Sequence, residues 1–332
     1  MSVLLLFFGL ALVLVAAELF TNAIEWFGKR LNVSEGAVGS VFAAVGTALP
    51  ETSIAVIAVV MGNDHTEAGI GAILGAPMML STLAMFITGC SVLAFAAAGK
   101  RSTTINADHT VVGRDLRSFF LVYTLALVAA LVPNRIWKIP IAGLLLAAYA
   151  YYVYRTFNCP ACPKEEVEMR PLHFRRHNET PRLRWVVAQL ITGLVLMLAG
   201  ARVFVDSVII LANALGISAL VLSVIITPIA TELPEKFNSI TWVRHRKDTL
   251  ALGNITGAMV FQSSVLPAIG IVLTPWELNT QAIASIAVAM LASIIAWGEM
   301  TLRKRLSPYS LLMGGVFYLL YPLAVFVIWP SH

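Results

Sequence analysis

Charged side chains are scarce in this chain. Asp, Glu, Lys and Arg account for 12% of the 332 residues, whereas soluble globular domains carry roughly 25%. Apolar residues make up 58%, and the mean hydropathy is +0.82. This composition argues against a soluble domain and indicates a protein built largely from membrane-spanning segments. The net charge of +5 is therefore a signal of membrane topology and not of nucleic-acid binding.

Signatures of hydrolytic enzymes and of secreted proteins are also missing. No serine–histidine or HExxH arrangement occurs in the apolar segments, which argues against an intramembrane enzyme. Met1-Ser2-Val3 carries no basic residue, and the apolar run that follows is too long for a cleavable signal peptide. We therefore expect no enzymatic activity, no required cofactor and no removal of the N-terminus.

Ten apolar segments occur along the chain, each about long enough to cross a hydrocarbon core of ~30 Å at 1.5 Å per helical residue. Such lengths predict an all-α polytopic membrane protein with ten transmembrane helices. The segments cover residues 3–27, 34–61, 68–98, 115–133, 137–154, 185–212, 217–242, 249–274, 280–300 and 308–329.

Lys and Arg are distributed unevenly among the loops between these segments. With the N-terminus outside, the cytoplasmic loops hold 19 of the 23 Lys and Arg residues, against only Arg135 and Lys138 outside. Positively charged loops stay on the cytoplasmic side. We therefore predict a multi-pass protein of the cell membrane with both termini extracellular or periplasmic.

The most informative motif occurs twice. Leu49-Pro50-Glu51 and Leu233-Pro234-Glu235 lie 184 residues apart, each within an apolar segment and each preceded by a threonine, Thr47 or Thr231. A carboxylate beside a helix-breaking proline is costly inside a membrane. Its duplication indicates a transporter with an internal repeat and a site at the repeat interface.

The duplication extends over both halves. A shift of 184 residues places identical residues at many positions, from Leu14 with Leu198 to Glu51 with Glu235. Each half contains five spans, an odd number, so the second copy enters the membrane from the opposite side. We therefore predict two inverted five-helix repeats that work by alternating access. They cover residues 1–155 and 185–332, with a cytoplasmic linker at 156–184.

The chain resembles the two α-repeats of the calcium/cation antiporter superfamily, the sodium/calcium exchangers, in three segments. These are Gly46-Thr47-Ala48-Leu49-Pro50-Glu51, Ala230-Thr231-Glu232-Leu233-Pro234-Glu235 and Gly253-Asn254-Ile255-Thr256-Gly257. The α-repeats would cover about 34–90 and 217–272. The layout of ten spans with the N-terminus outside is similar to that of the prokaryotic members. The resemblance implies the exchanger fold and exchange of a cation across the membrane.

The chemistry of the duplicated motif favours a cation site. Both prolines remove a backbone N–H and should open their helices, which frees carbonyl oxygens. Carbonyls near Thr47 and Thr231, together with the carboxylates of the two glutamates, would form an oxygen-rich cage. Such a cage suits a hard divalent cation. The alternative is that Glu51 and Glu235 are protonated or ion-paired and only hold helices together.

Several positions depart from the family pattern. The residue after the threonine is typically Ser in the family, but here it is Ala48 in one copy and Glu232 in the other. In the following helix, the oxygen-bearing positions read Ala76 and Leu80 in the first half, and only Gln262 is polar in the second. A site for three sodium ions and one calcium ion needs many oxygens. We therefore expect coupling to protons, with sodium/calcium exchange as the alternative.

Charged residues accompany the second copy of the motif. Glu232 and Lys236 are spaced i and i+4, and so are Arg202 and Asp206 in the sixth span. We expect the second pair to face Glu18 and Asn22 of the first span. One interpretation is that each pair is neutralised inside the bundle. The other is that Lys236 is a built-in cation in the place of a coupling sodium.

The cytoplasmic linker contains a metal-like motif. Cys159, Cys162, His173 and His177 follow the spacing C-x₂-C-x₁₀-H-x₃-H, which is close to that of tetrahedral zinc sites. A coincidental arrangement and a redox-active Cys-x-x-Cys are the alternatives. A linker zinc site with a structural or regulatory role is therefore a hypothesis.

Two classes of function remain open. The first is a secondary antiporter that exports a divalent cation such as Ca²⁺ and whose partners are that cation, its counter-ion and the lipid bilayer. The second is a non-transporting membrane sensor or scaffold with the same fold. The intact duplication favours the antiporter, whereas Ala76 and Leu80 favour the scaffold. Met78, Met79 and Met259 leave a softer transition metal as an alternative cation.

Overall fold

The computed structural model describes residues 2–30, 48–62, 64–157, 171–175, 181–244, 246 and 248–327. Nearly all of these residues are helical, as predicted, and the β-pairing among them is limited to an isolated antiparallel bridge between Ile105 and Leu306. The helices of the described ranges are α1 (Ser2–Arg30), α2 (Leu49–Met61), α3 (Asp64–Met79), α4 (Met85–Ala97), α5 (His109–Leu131), α6 (Arg135–Phe157), α7 (Leu183–Leu215), α8 (Ala219–Arg244), α9 (Asp248–Leu273), α10 (Thr280–Arg303) and α11 (Pro308–Val327). A π-helical segment, Leu80–Ala84, connects α3 to α4, and a 3-10 turn, His173–Arg175, precedes α7.

Seven helical stretches are long and apolar enough to cross a membrane. Of the other three predicted spans, α2 is described only from Leu49 onward. The helices α5 and α8 each carry three charged residues within the length of a span. The protein is thus a multi-pass helical membrane protein, while the count of ten spans stays a prediction. The seven stretches are Val3–Phe20, His65–Ala97, Arg135–Thr156, Leu183–Leu215, Ala251–Leu273, Thr280–Arg303 and Pro308–Val325.

α1 packs extensively on α7 in antiparallel orientation. A Cβ added at Gly9 would stand 2.7 Å from the backbone nitrogen of Phe204, and one added at Gly193 would stand 2.9 Å from that of Phe20. The 184-residue shift carries Gly9 onto Gly193 and Phe20 onto Phe204, so the two contacts are equivalent. Helix backbones approach this closely where a side chain is absent. The two helices therefore cross with approximate twofold symmetry.

The helices that carry the duplicated motif and those that follow it form a central group. Each of α2, α3, α8 and α9 contacts the other three. Ser223 of α8 donates its hydroxyl hydrogen to the carbonyl oxygen of Ala68 in α3 at 2.7 Å. This buried hydrogen bond joins helices from different halves of the chain. The central group therefore brings both copies of the motif into one part of the molecule.

The remaining helices surround this group in a matching arrangement. α5 and α6 pack on α9, whereas α10 and α11 pack on α3, the π segment and α4. The last two helices of each half thus cover the third span of the other half. Their outer faces carry large apolar side chains such as Leu131, Trp137 and Leu319, which are 65% to 69% exposed. This exposure is expected where lipid surrounds the protein.

The two prolines of the duplicated motif affect their helices differently. Pro50 lies in the first turn of α2, where a missing N–H removes no intrahelical hydrogen bond. α8, in contrast, is helical from Ala219 to Arg244, so the predicted interruption at Pro234 is wrong. A proline removes one ladder hydrogen bond, and a helix supported by its neighbours continues past such a gap.

An irregular backbone that was not predicted lies in the third span of the first half. Pro77 is followed by the π segment Leu80–Ala84. The corresponding part of α9 is α-helical throughout. π-helical turns often accompany functional sites. The third spans of the two halves therefore differ in backbone geometry as well as in sequence.

α9 begins at a buried ion pair. Both terminal nitrogens of Arg101 donate to the carboxylate of Asp248, at 2.7 and 2.9 Å, and both side chains are 2% exposed. Arg101 also donates to the carbonyl oxygens of Val243 and Thr104, and Asp248 accepts the backbone N–H of Asn106. Because these bonds satisfy both charges, the pair ties the loop after α4 to the start of α9.

Candidate cation site

Glu51 is a buried carboxylate at the start of α2. The helix begins at Leu49, which places Glu51 in its first turn, and the residue is 1% exposed. The hydroxyl of Thr52 donates to the carbonyl oxygen of Ala48 at 2.6 Å and helps to define this end of the helix. Negative charge is favoured near a helix N-terminus. An ionisable side chain buried inside a membrane protein is nevertheless costly and indicates a functional role.

The second copy of the motif lies in α8, which contacts α2. The backbones of both copies therefore belong to neighbouring helices. The side chains of this copy, as well as the whole of Thr47, lie outside the described part of the structure. The shared cation site and the predicted Glu–Lys pair of α8 thus stay predictions. The residues concerned are Thr231, Glu232, Glu235 and Lys236.

The third spans present unequal residues at equivalent positions. With a shift of 182 residues, Ala76 corresponds to Ala258 and Leu80 to Gln262. All four are buried, with exposures between 0% and 5%. Burial of an amide group in a membrane-embedded helix costs free energy. Because such a group is retained here, Gln262 remains a candidate ligand. Leu80 offers no oxygen at the equivalent position.

Four buried hydroxyls beside these positions were not predicted from the sequence. Thr82 donates to the carbonyl oxygen of Met78, and Ser264 donates to that of Val260. The 182-residue shift relates these bonds to each other and could have revealed the hydroxyls. Each hydroxyl oxygen still has acceptor capacity, so both third spans carry oxygens next to the unequal positions. The four residues, all at most 2% exposed, are Ser81, Thr82, Ser263 and Ser264.

The predicted pair of Arg202 and Asp206 is present and has a third member. Arg202 Nε lies 4.0 Å from Asp206 Oδ2, and Nε2 of His65 in α3 lies 3.0 Å from Asp206 Oδ1. The Arg202 and Asp206 side chains are 67% and 44% exposed. The two charges are therefore paired, but the pair is exposed, so its predicted location inside the bundle is wrong. An exposed pair of this kind contributes little to stability.

The expected contact of this pair with Glu18 and Asn22 of α1 is also wrong. Because α1 and α7 are antiparallel, repeat-equivalent residues lie at opposite ends of the helix pair. Asn22 Oδ1 instead accepts a hydrogen bond from Gln189 at 2.9 Å, and Glu18 Oε1 lies 3.6 Å from His173 Nε2. An inverted repeat, which the odd number of spans predicts, would place equivalent residues in this way.

Part of the linker docks on α1 and α7. Leu172 is fully buried in a small cluster with Trp26 and Val186. The backbone N–H of His173 donates to Asn22 Oδ1 at 3.2 Å. The segment just before α7 is therefore attached to the helix pair that joins the two halves.

The zinc hypothesis has no support in the structure. His173 is described and interacts with Glu18, whereas Cys159, Cys162 and His177 lie outside the described residues. Among the residues that are described, no group of three His, Cys, Asp or Glu side chains could hold a metal ion. The linker site therefore stays a prediction from spacing alone.

A second buried carboxylate was not predicted from the sequence. Asp115 of α5 is 1% exposed. It accepts hydrogen bonds from Thr256 Oγ1 at 2.9 Å, from Tyr152 Oη at 3.1 Å and from Arg114 Nη2 at 3.0 Å. The partners belong to α9, α6 and α5, so neither hydropathy nor motif spacing carries a signal for this network. A carboxylate with both oxygens bonded is satisfied although it is buried.

These features define a class of protein. Helices of membrane-spanning length, two sequence-related halves and a buried acidic motif in the central helix group are those of a polytopic membrane transporter. The family model described as sodium/calcium exchanger protein matches residues 1–158 and 185–329. This chain therefore belongs to the sodium/calcium exchanger protein family, which is a family of transporters and not of enzymes. The family resemblance predicted from the sequence is confirmed.

Known proteins similar to this chain agree with the assignment. Inner membrane protein YrbG of Escherichia coli (strain K12) is 25% identical over 295 residues, which cover 88% of this chain and 86% of YrbG. The solved H⁺/Ca²⁺ exchanger CAX matches 98% of this chain and 82% of its own, with a TM-score of 0.75 and 17% identity. The sodium-calcium exchanger NCX_Mj matches 98% of both chains, with a TM-score of 0.58 and 22% identity. The two structures establish the exchanger fold.

Proposed function

We propose that this protein is a secondary antiporter that exports a divalent cation, Ca²⁺ or a similar ion, by alternating access. The observation that carries the proposal is the buried carboxylate of Glu51, located in the helix group to which both copies of the Leu-Pro-Glu motif belong. Carboxylate and carbonyl oxygens are the ligands that hard divalent cations prefer. A transported ion explains why the same costly group is present once in each half.

The architecture proposed for this function is two inverted repeats of five spans each, with α3, the π segment and α4 counted as one span. The repeats are residues 1–155 and 185–332, and 156–184 is the linker. Two observations support the inversion. The Gly9–Phe204 and Gly193–Phe20 contacts are equivalent, and the outer helices of each half cover the third span of the other. Such symmetry allows the two halves to exchange conformations.

The proposed cation site lies between α2, α8 and α9. Glu51 and Glu235 are its shared carboxylates, one from each half. The burial of Glu51 and Gln262, at 1% and 2% exposed, supports ligands in the protein interior. The full set of proposed ligands is Thr47, Glu51, Thr231, Glu232, Glu235 and Gln262.

The proposed counter-ion is a proton. The solved neighbours are an H⁺/Ca²⁺ exchanger and a sodium-calcium exchanger, which supports Ca²⁺ exchange and leaves both counter-ions open. Ala76 and Leu80 are fully buried and bring no side-chain oxygen to the first half. Since bound Na⁺ is coordinated by oxygen ligands, this deficit favours H⁺, and sodium/calcium exchange is the alternative.

The protein is proposed to lie in the cell membrane with both termini outside, because Lys and Arg concentrate in the loops that are then cytoplasmic. In this orientation His65 and Asp206 lie near the outer surface, and the docked linker lies near the inner one. Lys236 is proposed to neutralise Glu232 within α8.

Ion flux into reconstituted vesicles tests the proposed function. Ca²⁺, Mn²⁺ and Mg²⁺ are each offered under an opposing proton gradient, an opposing sodium gradient or neither. We expect Ca²⁺ movement driven by the proton gradient in wild-type vesicles, and none in protein-free vesicles. Absence of flux for all three ions under both gradients would contradict the antiporter proposal and favour the scaffold alternative.

A further inference from the structure

We propose that Asp115 is a positioning residue for the cation site, which it influences by holding α9 through Thr256. This inference rests on the proposed function, because it concerns the geometry of the same site. The observation behind it is a carboxylate that is 1% exposed and is reached by side chains of three helices. A buried charge within membrane-embedded helices indicates a functional role.

Both oxygens of the carboxylate are used. Oδ2 accepts the Thr256 hydroxyl at 2.9 Å, while Oδ1 accepts Tyr152 Oη at 3.1 Å and Arg114 Nη2 at 3.0 Å. Arg114 balances the charge, and the two hydroxyls fix the direction of the carboxylate. Removal of the charge would therefore loosen α9 from α5 and α6 together.

The network meets α9 just before the candidate ligand. A Cβ at Gly257 would stand 3.4 Å from Tyr152 Oη, and the rings of Tyr149 and Phe261 lie 5.4 Å apart in an edge-on contact. Thr256 and Gln262 are separated by about 9 Å along the axis at 1.5 Å per residue. Asp115 and the two tyrosines of α6 thus define the height and rotation of the segment that ends at Gln262.

The third span of the first half meets no such network at the equivalent positions. Leu74 corresponds to Thr256 by the 182-residue shift. Ile286 corresponds to Asp115 when the capping residues Asp108 and Asn279, which start α5 and α10, are aligned. Leu74 and Ile286 are both 0% exposed, so apolar contacts suffice to pack the third span of that half.

The third span that contacts the charged network is also the one that carries a candidate ligand. This span, α9, carries Gln262, whereas the third span of the first half, which meets no such network, has Leu80 at the equivalent position. An amide ligand must be held in one orientation to bind a cation, and groups that orient ligands strongly affect metal affinity. An apolar wall has no such requirement. Positioning of Gln262 therefore explains why a buried charge is present on one side only.

The test compares Asp115→Asn with Asp248→Asn. Asp248 is a suitable control because it also anchors α9, is equally buried and is also paired with an arginine, Arg101, but lies at the start of the helix. We measure the half-saturating Ca²⁺ concentration for flux and the hydrogen exchange of α9 amides. Thr256→Val, which removes the hydroxyl, and Thr256→Ser, which keeps it, are measured in parallel.

Asp115→Asn and Thr256→Val should each raise half-saturating Ca²⁺ roughly tenfold and increase hydrogen exchange over residues 256–262. Thr256→Ser should stay close to wild type. Asp248→Asn should increase exchange only near the start of α9 and leave the half-saturating concentration unchanged. A purely structural role of Asp115 predicts that the two Asp→Asn variants change Ca²⁺ dependence equally, or that neither does.

The two proposals fail in different ways. If wild-type protein moves no divalent cation, the proposed function is wrong, and hydrogen exchange still decides whether Asp115 fixes residues 256–262. If wild-type protein transports Ca²⁺ and Asp115→Asn has the same half-saturating concentration and the same exchange over that segment, the positioning role is wrong.

Discussion

The third spans of the two halves are related by the repeat, yet they are built differently. α9 is a regular helix that carries the buried Gln262 six residues after Thr256, which donates to Asp115. Its counterpart has Leu80 at the equivalent position and changes there into a π segment. The buried hydroxyls of Thr82 and Ser264, however, make equivalent hydrogen bonds in both halves. The repeat therefore preserves local backbone contacts, while the polar side chains at the candidate site are unevenly distributed.

This comparison indicates that the motif helices and the third spans have different roles in the candidate site. The two copies of the Leu-Pro-Glu motif carry one glutamate each, whereas the third spans carry different residues, Leu80 and Gln262, at equivalent positions. A substitution in one half and the equivalent substitution in the other half should therefore have similar effects at the glutamates. In the third spans, the two effects should differ. The predictions below test this contrast.

The largest effect is expected for Glu51→Gln and Glu235→Gln. Each change keeps the shape of the side chain but removes one of the two shared charges, so Ca²⁺ flux should fall by about 100-fold or more in either variant. Flux into vesicles at matched protein density is the measurement. Glu67→Gln, at an exposed position of α3, is the control and should transport normally. Undiminished flux in both site variants would refute the assignment of the glutamates.

The next effect concerns Lys236, the charge that has no counterpart in the first half, where Thr52 is equivalent. If Lys236 only pairs with Glu232, Lys236→Gln leaves a buried carboxylate uncompensated and should lower stability by about 3–5 kcal/mol. The double variant Glu232→Gln with Lys236→Gln should then recover stability and near-normal transport. Thermal unfolding and flux are measured on all three variants.

The double variant also identifies a coupling role. Should Lys236 stand in for a sodium ion, its removal leaves the site one charge too negative and opens a place for a monovalent cation. Flux of the double variant would then be lost or become sensitive to sodium. We expect restored flux that is insensitive to sodium, as a structural pair requires.

A smaller effect is expected for Gln262→Leu, which gives α9 the residue that the first half already has. Loss of one neutral oxygen ligand should raise half-saturating Ca²⁺ roughly tenfold, with maximal flux nearly unchanged. The matched control is Leu80→Met, which roughly conserves volume in the opposite wall and should leave Ca²⁺ dependence unchanged. Equal responses of the two variants would mean that the third spans do not differ in ligand supply.

Much of the fold was predictable because hydropathy changes sharply at the ends of the spans. The predicted segments 249–274 and 280–300 correspond to α9, Asp248–Leu273, and α10, Thr280–Arg303. Backbone detail within a span was less predictable. The π segment lies where α11 approaches closely, since a Cβ at Gly314 would overlap the carbonyl of Thr82. Such a long-range contact leaves no periodic signal, and support from neighbours also explains why α8 continues through Pro234.

Residues of the candidate site could be predicted only where the duplicated Leu-Pro-Glu motif marks them. The burial of Glu51 agrees with the cost that made the duplicated motif informative. Two partners of Asp115, Tyr152 and Thr256, are 37 and 141 residues away in sequence, and a single sequence does not reveal such pairings. The placement of Arg202 failed for another reason. Because α1 and α7 are antiparallel, equivalent residues lie at opposite ends of this helix pair, although the repeat alignment places them side by side.

The smallest expected effect is the response of wild-type flux to sodium. Ala76, Leu80 and Ala258 are buried and supply no side-chain oxygen, so replacement of sodium by an impermeant cation should leave Ca²⁺ flux unchanged while a proton gradient is maintained. Flux that stops on this replacement, although the proton gradient is maintained, would refute proton coupling. Leu80→Gln sharpens the test, because it makes the third spans alike. If the oxygen deficit of the first half excludes sodium, only this variant should acquire sodium sensitivity.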